Sequence, residues 1–408
     1  MHIADLTPIP PPSTDLPQLD VLYQQGNGPV WDRLAAVPPS LRAGRLGDSL
    51  LLLKHADGRT VLGSRDFDQG ILADLGTDID PRFIRRRNRS LLQLSGAEHV
   101  RQRRLAAPAF KPPMINRMRS LMRNTVHRLL DEVPGAECDA VAAFTHPYPI
   151  PVICTALGVP VKDQPLFSHA AEAWTLAFFD PAAVPEGLAA HDRLDAYVTN
   201  LIQERRHHPG DDMFTSLITG EDDEIPSAEE LTSLISALIM AGTDSPRIQL
   251  ASALEYLSRR PDLWQLLHDK PELVPAAVEE LTRLTPVAGI LRRVATRNTA
   301  VNGIGIPAGT RISLAISVMN RDPDVFDAPH TFDLTRVSGA PLSFGAGAHH
   351  CIGRQLARAE LTEAITTLTS ELSSFRPAAP PEWRPVKSLQ GPRRLPIRFT
   401  HRRPLPTI

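Results

Sequence analysis

The 408-residue sequence has almost no net charge: 44 Lys and Arg against 46 Asp and Glu leave −2 with the 14 His neutral. No field of one sign exists to hold a nucleic-acid backbone or an anionic membrane surface, so neither partner is expected. Cysteine is equally scarce. Cys138, Cys154 and Cys351 permit at most one disulfide and supply neither a disulfide framework nor a four-cysteine zinc site, which fits a reducing compartment. The opening MHIADLTPIPPPSTDLP lacks the basic flank and apolar stretch of a secretory leader. The longest apolar run, over 234–242, falls well short of the ~18 residues of a membrane span. The expectation is a soluble cytoplasmic monomer.

No internal repeat and no Gly/Ser linker divides the sequence, so a single domain spanning 1–408 is expected, with a Pro-rich arm over 1–35 and a catalytic domain over 36–408. What is abundant is proline, 39 residues, scattered among apolar periodic segments where it punctuates helices. The segment GRLGDSLLLLKHADGRTVLGS reads as a hairpin followed by a helix. From 97 to about 275 the apolar spacing is helical nearly throughout, as in MINRMRSLMRNTVHRLLDEV and AEELTSLISALIMAGTDSPRIQLASALEYLSRRP. Short β-like pieces follow between 287 and 317, then a Pro/Gly-rich coil over 320–353, then the helix RQLARAELTEAITTLTSEL. That order predicts a mainly α protein with a small β part.

Cys351 lies in SFGAGAHHCIGRQLARAE, where Gly345, Gly347 and Gly353 allow conformations and close approaches that a Cβ would forbid. Taken alone, the cysteine reads as an inert structural residue, or as a nucleophile with His349 or His350 as its base in a Cys/His hydrolase. The same helical mass also suits a scaffold that only binds partners. A zinc site would need further ligands at short spacing, which the segment lacks.

The complete pattern FGxGxHxCxG resembles that of the cytochrome P-450 superfamily of haem-thiolate monooxygenases, soluble bacterial type. The resemblance implies that fold, a triangular, largely helical body with minor sheets, and haem b (iron protoporphyrin IX) as cofactor. It makes Cys351 the proximal iron ligand, with Phe344 covering the sulfur and Gly345 and Gly353 letting the loop lie against the porphyrin. A thiolate ligand pushes electron density toward O–O cleavage, and N–H groups at the following helix N-terminus restrain that push.

Other segments of the family follow in order. Glu280 and Arg283 in VEELTRL share a helical face and are otherwise readable as a surface ion pair. The resemblance adds Arg336, at the end of FDLTR, as the third member of a triad that locks the cysteine loop. NRDPDVF (Asn320–Phe326) and GPRRLPIRF (Gly391–Phe399) also match, so the likeness runs from about 40 to 400. His99, Arg103, Arg293 and His349 fall on the family's propionate-binding positions, where buried carboxylates need cations or donors.

In AGTDSP, Ala241 and Gly242 would lie along the haem, and the resemblance assigns Asp244 and Ser245 to proton delivery as dioxygen is reduced. Two departures from the usual Thr-Thr matter. Ser245 keeps the hydroxyl without the methyl that stiffens χ1. Pro246 lacks an N–H and opposes the carbonyl of Gly242, so a bend is expected there.

Substrate-pocket positions of the family map onto Leu92, Phe178, Phe179, Leu238, Ile239, Val287, Ala288, Ile290, Leu291 and Gln390. Small Ala288 and Gly289 suggest room for a polycyclic or peptide-like substrate. The run Arg85, Arg86, Arg87 and Arg89 reads as a solvated loop or as a receptor for a substrate carboxylate. With no flavin or iron–sulfur signature, electrons must come from a separate ferredoxin or flavodoxin and its reductase. Arg101, Arg104, Lys111, Arg354 and Arg358 would form the dock for that acidic partner. Within the same fold, an oxidase that couples rings or a peroxide-driven enzyme is the alternative.

Overall fold

The computed structural model describes residues 41–70, 79–178, 180–210, 212–218, 226–337, 339–384 and 389–402. The Pro-rich arm over 1–35 and Phe179 lie outside them. Nine helices frame the site: α1 Pro81–Arg89, α2 Gly96–Ala106, α3 Pro112–Asp131, α4 Pro149–Leu157, α5 Gln164–Ala177, α6 Val184–His207, α7 Ala228–Ser258, α8 Val274–Leu284 and α9 Arg354–Glu371. Shorter helices, among them His55–Gly63 and Pro261–Asp269, fill the joints. Proline acts as anticipated: α1, α3, α4, α5, α6 and α8 each carry one within their first two residues, where the missing N–H costs nothing.

The axis of the molecule is α7, 31 residues long and buried along most of its length. Ser227 caps it: the side chain accepts from the Glu230 backbone N–H while Glu230 returns a bond to the Ser227 N–H. The helix runs unbroken past Pro246. Thr243 and Ser245 each donate a hydroxyl proton to the carbonyl four residues back, those of Ile239 and Ala241, both at 2.8 Å. Gly242 has a packing reason: a Cβ there would lie 2.7 Å from the side chain of Ile153 on α4.

In chain order the strands are β1 Ala43–Leu46, β2 Ser49–Leu52, β3 Phe67–Gln69, β4 Glu137–Asp139, β5 Ile290–Ala295, β6 Thr299–Val301, β7 Ile304–Ile306, β8 Arg311–Ala315, β9 Leu372–Pro377, β10 Glu382–Trp383, β11 Pro392–Arg394 and β12 Pro396–His401. They form a five-stranded sheet in the order β1-β2-β8-β5-β3, a three-stranded sheet β4-β12-β9, and two hairpins. The expected β1/β2 hairpin and the β-pieces of 287–317 are therefore present. The segment 97–275 is not wholly helical. Glu137–Asp139 extends because a distant strand claims it: Pro396 pairs with Asp139 and Arg398 with Glu137, while the other edge of β12 pairs with β9. One large apolar core joins α3, α4, α7, α8 and α9, and Trp264 stacks on Phe375 within it, ring centroids 4.7 Å apart.

Candidate haem-thiolate site

The coil before α9 is held from behind by a buried polar knot. Arg283, fully buried on α8, makes a bidentate pair with Glu280 at 2.7 and 2.8 Å and donates to the carbonyls of Asn320, Pro329 and Thr331. Arg336 donates to Glu280 at 3.1 Å and to the Asp327 carbonyl at 2.7 Å, and the Asp333 N–H completes the Glu280 acceptors at 3.0 Å. Burial pushes Glu280 up, yet the donors from Arg283, Asp333 and Arg336 leave its pKa below the usual value. The structure thus brings the three residues of the expected triad together. It also shows a tie the sequence analysis did not assign: Asn320 donates to the Arg283 carbonyl and to Ser343, and its side-chain oxygen accepts from the Leu342 N–H at 2.8 Å. Ser343 donates to the Thr282 carbonyl at 2.7 Å. The cysteine loop is thereby stitched to α8.

Beyond Ser343 the loop depends on glycine twice. Gly345 and Gly347 both have φ of +69°, and a Cβ at Gly347 would lie 2.1 Å from the carbonyl oxygen of Leu62. The Cys351 N–H donates to the Phe344 carbonyl at 2.9 Å, closing the loop, and the Phe344 ring lies 5.3 Å from the guanidinium of Arg358. Gly353 serves as N-cap of α9, with its backbone N–H directed at the Cys351 sulfur. Cys351 is exposed, yet crowding by protein raises its pKa while Gly353, Arg103 and Arg354 oppose the rise. A thiol reachable from one side and desolvated on the others lies on the wall of a cleft. A metal cation there would deprotonate it outright.

Two imidazoles and two guanidinium groups meet beside this loop. The rings of His99 and His349 lie against each other, tilted by 35°, with centroids 4.0 Å apart. Arg103 donates to the His350 carbonyl at 2.5 Å, and Arg293 donates to Gln69 at 2.9 Å and to the Arg292 carbonyl at 2.7 Å. Burial lowers Arg293 to about 10, with Asp68 opposing. Burial, then His99, Arg293 and Arg103, depress His349 to about 3. These mutual repulsions show that the four share one space. Among the described residues, no ion pair ties any of them to a carboxylate. Such a cluster is costly to assemble without an anion, and the two carboxylates of a haem would supply it. The residues present fit the group.

On α7, a mostly buried helix, Ala241 is exposed and Gly242 and Ser245 are half-buried. Asp244 points elsewhere. It is buried, ion-paired with Arg247, with the Thr175 hydroxyl beside it. Burial and Glu172 push its pKa up; Arg247, Thr175 and Arg384 hold it down, and the rise wins.

The pocket positions divide. Phe178 is buried edge-on against Phe83 and Trp174, with Leu92 at the margin of that cluster. Leu238 and Ile239 belong to the closed core between α5, α6 and α7. Val287, Ala288, Ile290 and Leu291 are half-buried. Gly289 does not leave room for substrate: a Cβ on it would lie 1.9 Å from the Gln390 amide nitrogen, so the missing side chain makes space for buried Gln390. Of the arginine run, Arg86 is bound to Asp192 and Asp195 of α6, and Arg89 to Glu229 of α7. In the supposed partner dock, Arg101 pairs with Glu98 and Glu230, and Arg358 with Glu279. Residues 77–398 match the family described as Cytochrome P450.

The chain belongs to the cytochrome P450 family. It is similar to nocardicin C N-oxygenase of Nocardia uniformis subsp. tsuyamanensis, 36% identical over 90% of this chain and 94% of that protein. It is also similar to luteothin monooxygenase of Streptomyces thioluteus, 34% identical over 86% of this chain and 88% of that one. Among solved structures, P450BioI in complex with an acyl carrier protein ligated to hexadec-9Z-enoic acid superposes with a TM-score of 0.82 at 29% identity. It covers 91% of this chain and 97% of that one. CxnD, a P450 for C–S bond formation in chuangxinmycin biosynthesis, covers 99% of this chain and 100% of its own, with a TM-score of 0.81 at 28% identity. This P450 is a haem-thiolate monooxygenase of the bacterial secondary-metabolism type, and the family implies a substrate and a source of electrons. No described helix is long and apolar enough to cross a membrane.

Proposed function

We propose that this P450 holds haem b on the thiolate of Cys351 and oxidises a small or peptide-like metabolite with electrons from a ferredoxin or flavodoxin and its reductase, in the cytoplasm, as one domain over residues 36–408. The observation that carries this reading is the cleft-facing Cys351 beside the unpaired cluster of His99, Arg103, Arg293 and His349. Bound haem supplies the redox chemistry that activates dioxygen. The chain's own residues do the rest. The Gly353 N–H would temper the charge on sulfur, and Arg103 and Arg293, with the donors of His99 and His349, would fix the cofactor's orientation by binding its carboxylates. Ser245, whose hydroxyl donates to the Ala241 carbonyl, has lone pairs free to accept a proton, and on leaving that bond it can release its own. Asp244 faces Arg247 and away from Ser245; drawn toward protonation by burial, it is the acid that feeds the hydroxyl when its side chain turns to it.

The test is optical. The reduced carbon monoxide complex should show a red-shifted Soret band that Cys351→Ser abolishes; survival of that band in the variant would remove the ligand assignment. A second reading, oxidative bond formation without oxygen insertion, draws support from the likeness to CxnD, and product analysis with a labelled oxygen source separates the two.

A further inference from the structure

Asp244 is joined to the surface by a short chain of polar contacts on the side away from Ser245. Arg247, one turn along α7, is ion-paired with Asp244, and its Nη1 donates to Nδ1 of His146 at 3.1 Å. Nε2 of the same ring lies 3.0 Å from Oε1 of Glu172 on α5, which is also 3.6 Å from Arg247. Exposure falls along the chain: the side chains of His146 and Glu172 are each 43% exposed, that of Arg247 11% and that of Asp244 4%.

The donors and acceptors allow only one state of the ring. A guanidinium cannot accept, so Nδ1 must carry a lone pair and Nε2 the proton given to Glu172. A second proton on Nδ1 would set N–H against N–H and place two cations 3.1 Å apart. We propose that the neutral ring of His146, held by Glu172, positions Arg247 against Asp244, and that a proton arriving at this half-exposed ring releases Arg247 from that place. His146 is then a positioning residue that reports the pH of the medium to the buried acid. The inference rests on Asp244 as the relay acid. The charged groups facing the ring are Arg247 and Asp244 from α7, Glu172 from α5 and Arg384 from the C-terminal region. Burial and the two arginines together outweigh the two carboxylates and keep the ring's pKa below its usual value.

The ring can be watched directly in the holoenzyme as its diamagnetic reduced carbon monoxide complex. Its nitrogen resonances, assigned by the signal lost in His146→Gln, should show the Nε2–H tautomer and a titration below 6.5 that Arg247→Met moves upward. An Nδ1–H ring, or a titration that Arg247→Met leaves in place, overturns the proposal. Coupling, product formed per NAD(P)H consumed, should fall about threefold as pH drops through that titration, the scale of a contact within one network. His146→Gln, whose amide can accept from Arg247 and donate to Glu172, should rescue the coupling that His146→Leu loses, and should erase the pH step. A step that persists in His146→Gln, or equal coupling in the Gln and Leu variants, overturns it. If Asp244→Asn uncouples while both His146 variants match wild type, the relay stands and this proposal fails. If Asp244→Asn couples normally, the relay fails, and the ring titration alone decides whether His146 positions Arg247.

Discussion

At Ser245 the missing methyl has a measurable meaning. The hydroxyl donates to Ala241 in the present arrangement, and without a β-branch its χ1 is free to leave that bond. Ser245→Ala should leave substrate binding nearly intact while diverting electrons from NAD(P)H into peroxide, and Ser245→Thr should raise coupling. Product, peroxide and NAD(P)H counted together check both; equal coupling in all three proteins would mean that protons arrive by another path. The propionate cluster makes a second residue-scale prediction. Arg103 and Arg293 make no ion pair with a described carboxylate, so removing either loses a haem contact and relieves repulsion within the cluster. Arg103→Ala and Arg293→Ala should therefore release haem faster than wild type, measured by transfer to a haem-scavenging globin. Unaltered release in both would separate these arginines from the cofactor.

At the scale of elements, the α8 knot has the most to lose. Glu280 and Arg283 are buried and bidentate, and removing one partner strands the other's charge, at a cost of about 3–5 kcal/mol. Arg283→Met should lower the urea midpoint accordingly and yield protein with little bound haem; a midpoint within error of wild type would show that the coil stands without it. Much of this element-level arrangement was legible because it is local. The glycine spacing before Cys351 fixes its own loop, and the Glu280–Arg283 spacing fixes one helical face. Contacts set by packing were not. Glu137–Asp139 carries no strand signal of its own, being three residues long and extended by a partner far along the chain. Gly289 announces a missing side chain without saying that Gln390 fills the space. Asp244 was readable as an acid near a hydroxyl, whereas its link to His146 joins segments separated by the whole of α4, α5 and α6.

For the molecule as a whole, acid should be damaging. His55, buried against the Ala340 carbonyl, and His330 both have pKa values lowered chiefly by burial, as does His146. The folded state therefore binds fewer protons than the unfolded one below about 6.5, and stability is lost as pH falls through that range. Glu280 and Asp322, held below their usual values by donors, add a second loss at lower pH. The thermal midpoint should fall steadily from pH 7.5 to 5; a constant or rising midpoint would contradict these environments.

The three-stranded sheet carries a consequence for how the molecule is made. Its central strand, β12, follows in the chain everything that it joins, so β4 and β9 are synthesised with bare edges and wait for it. Until Pro396–His401 emerges, two strand edges are open to pairing with other chains. Closure of the β4 edge then joins Arg398 to Glu137 across 261 residues of sequence, a slow class of contact. The helix bearing the thiolate loop runs directly into β9, so assembly of the cofactor site is tied to the emergence of β12, and chains stalled or truncated before Pro396 should accumulate as aggregates without pigment.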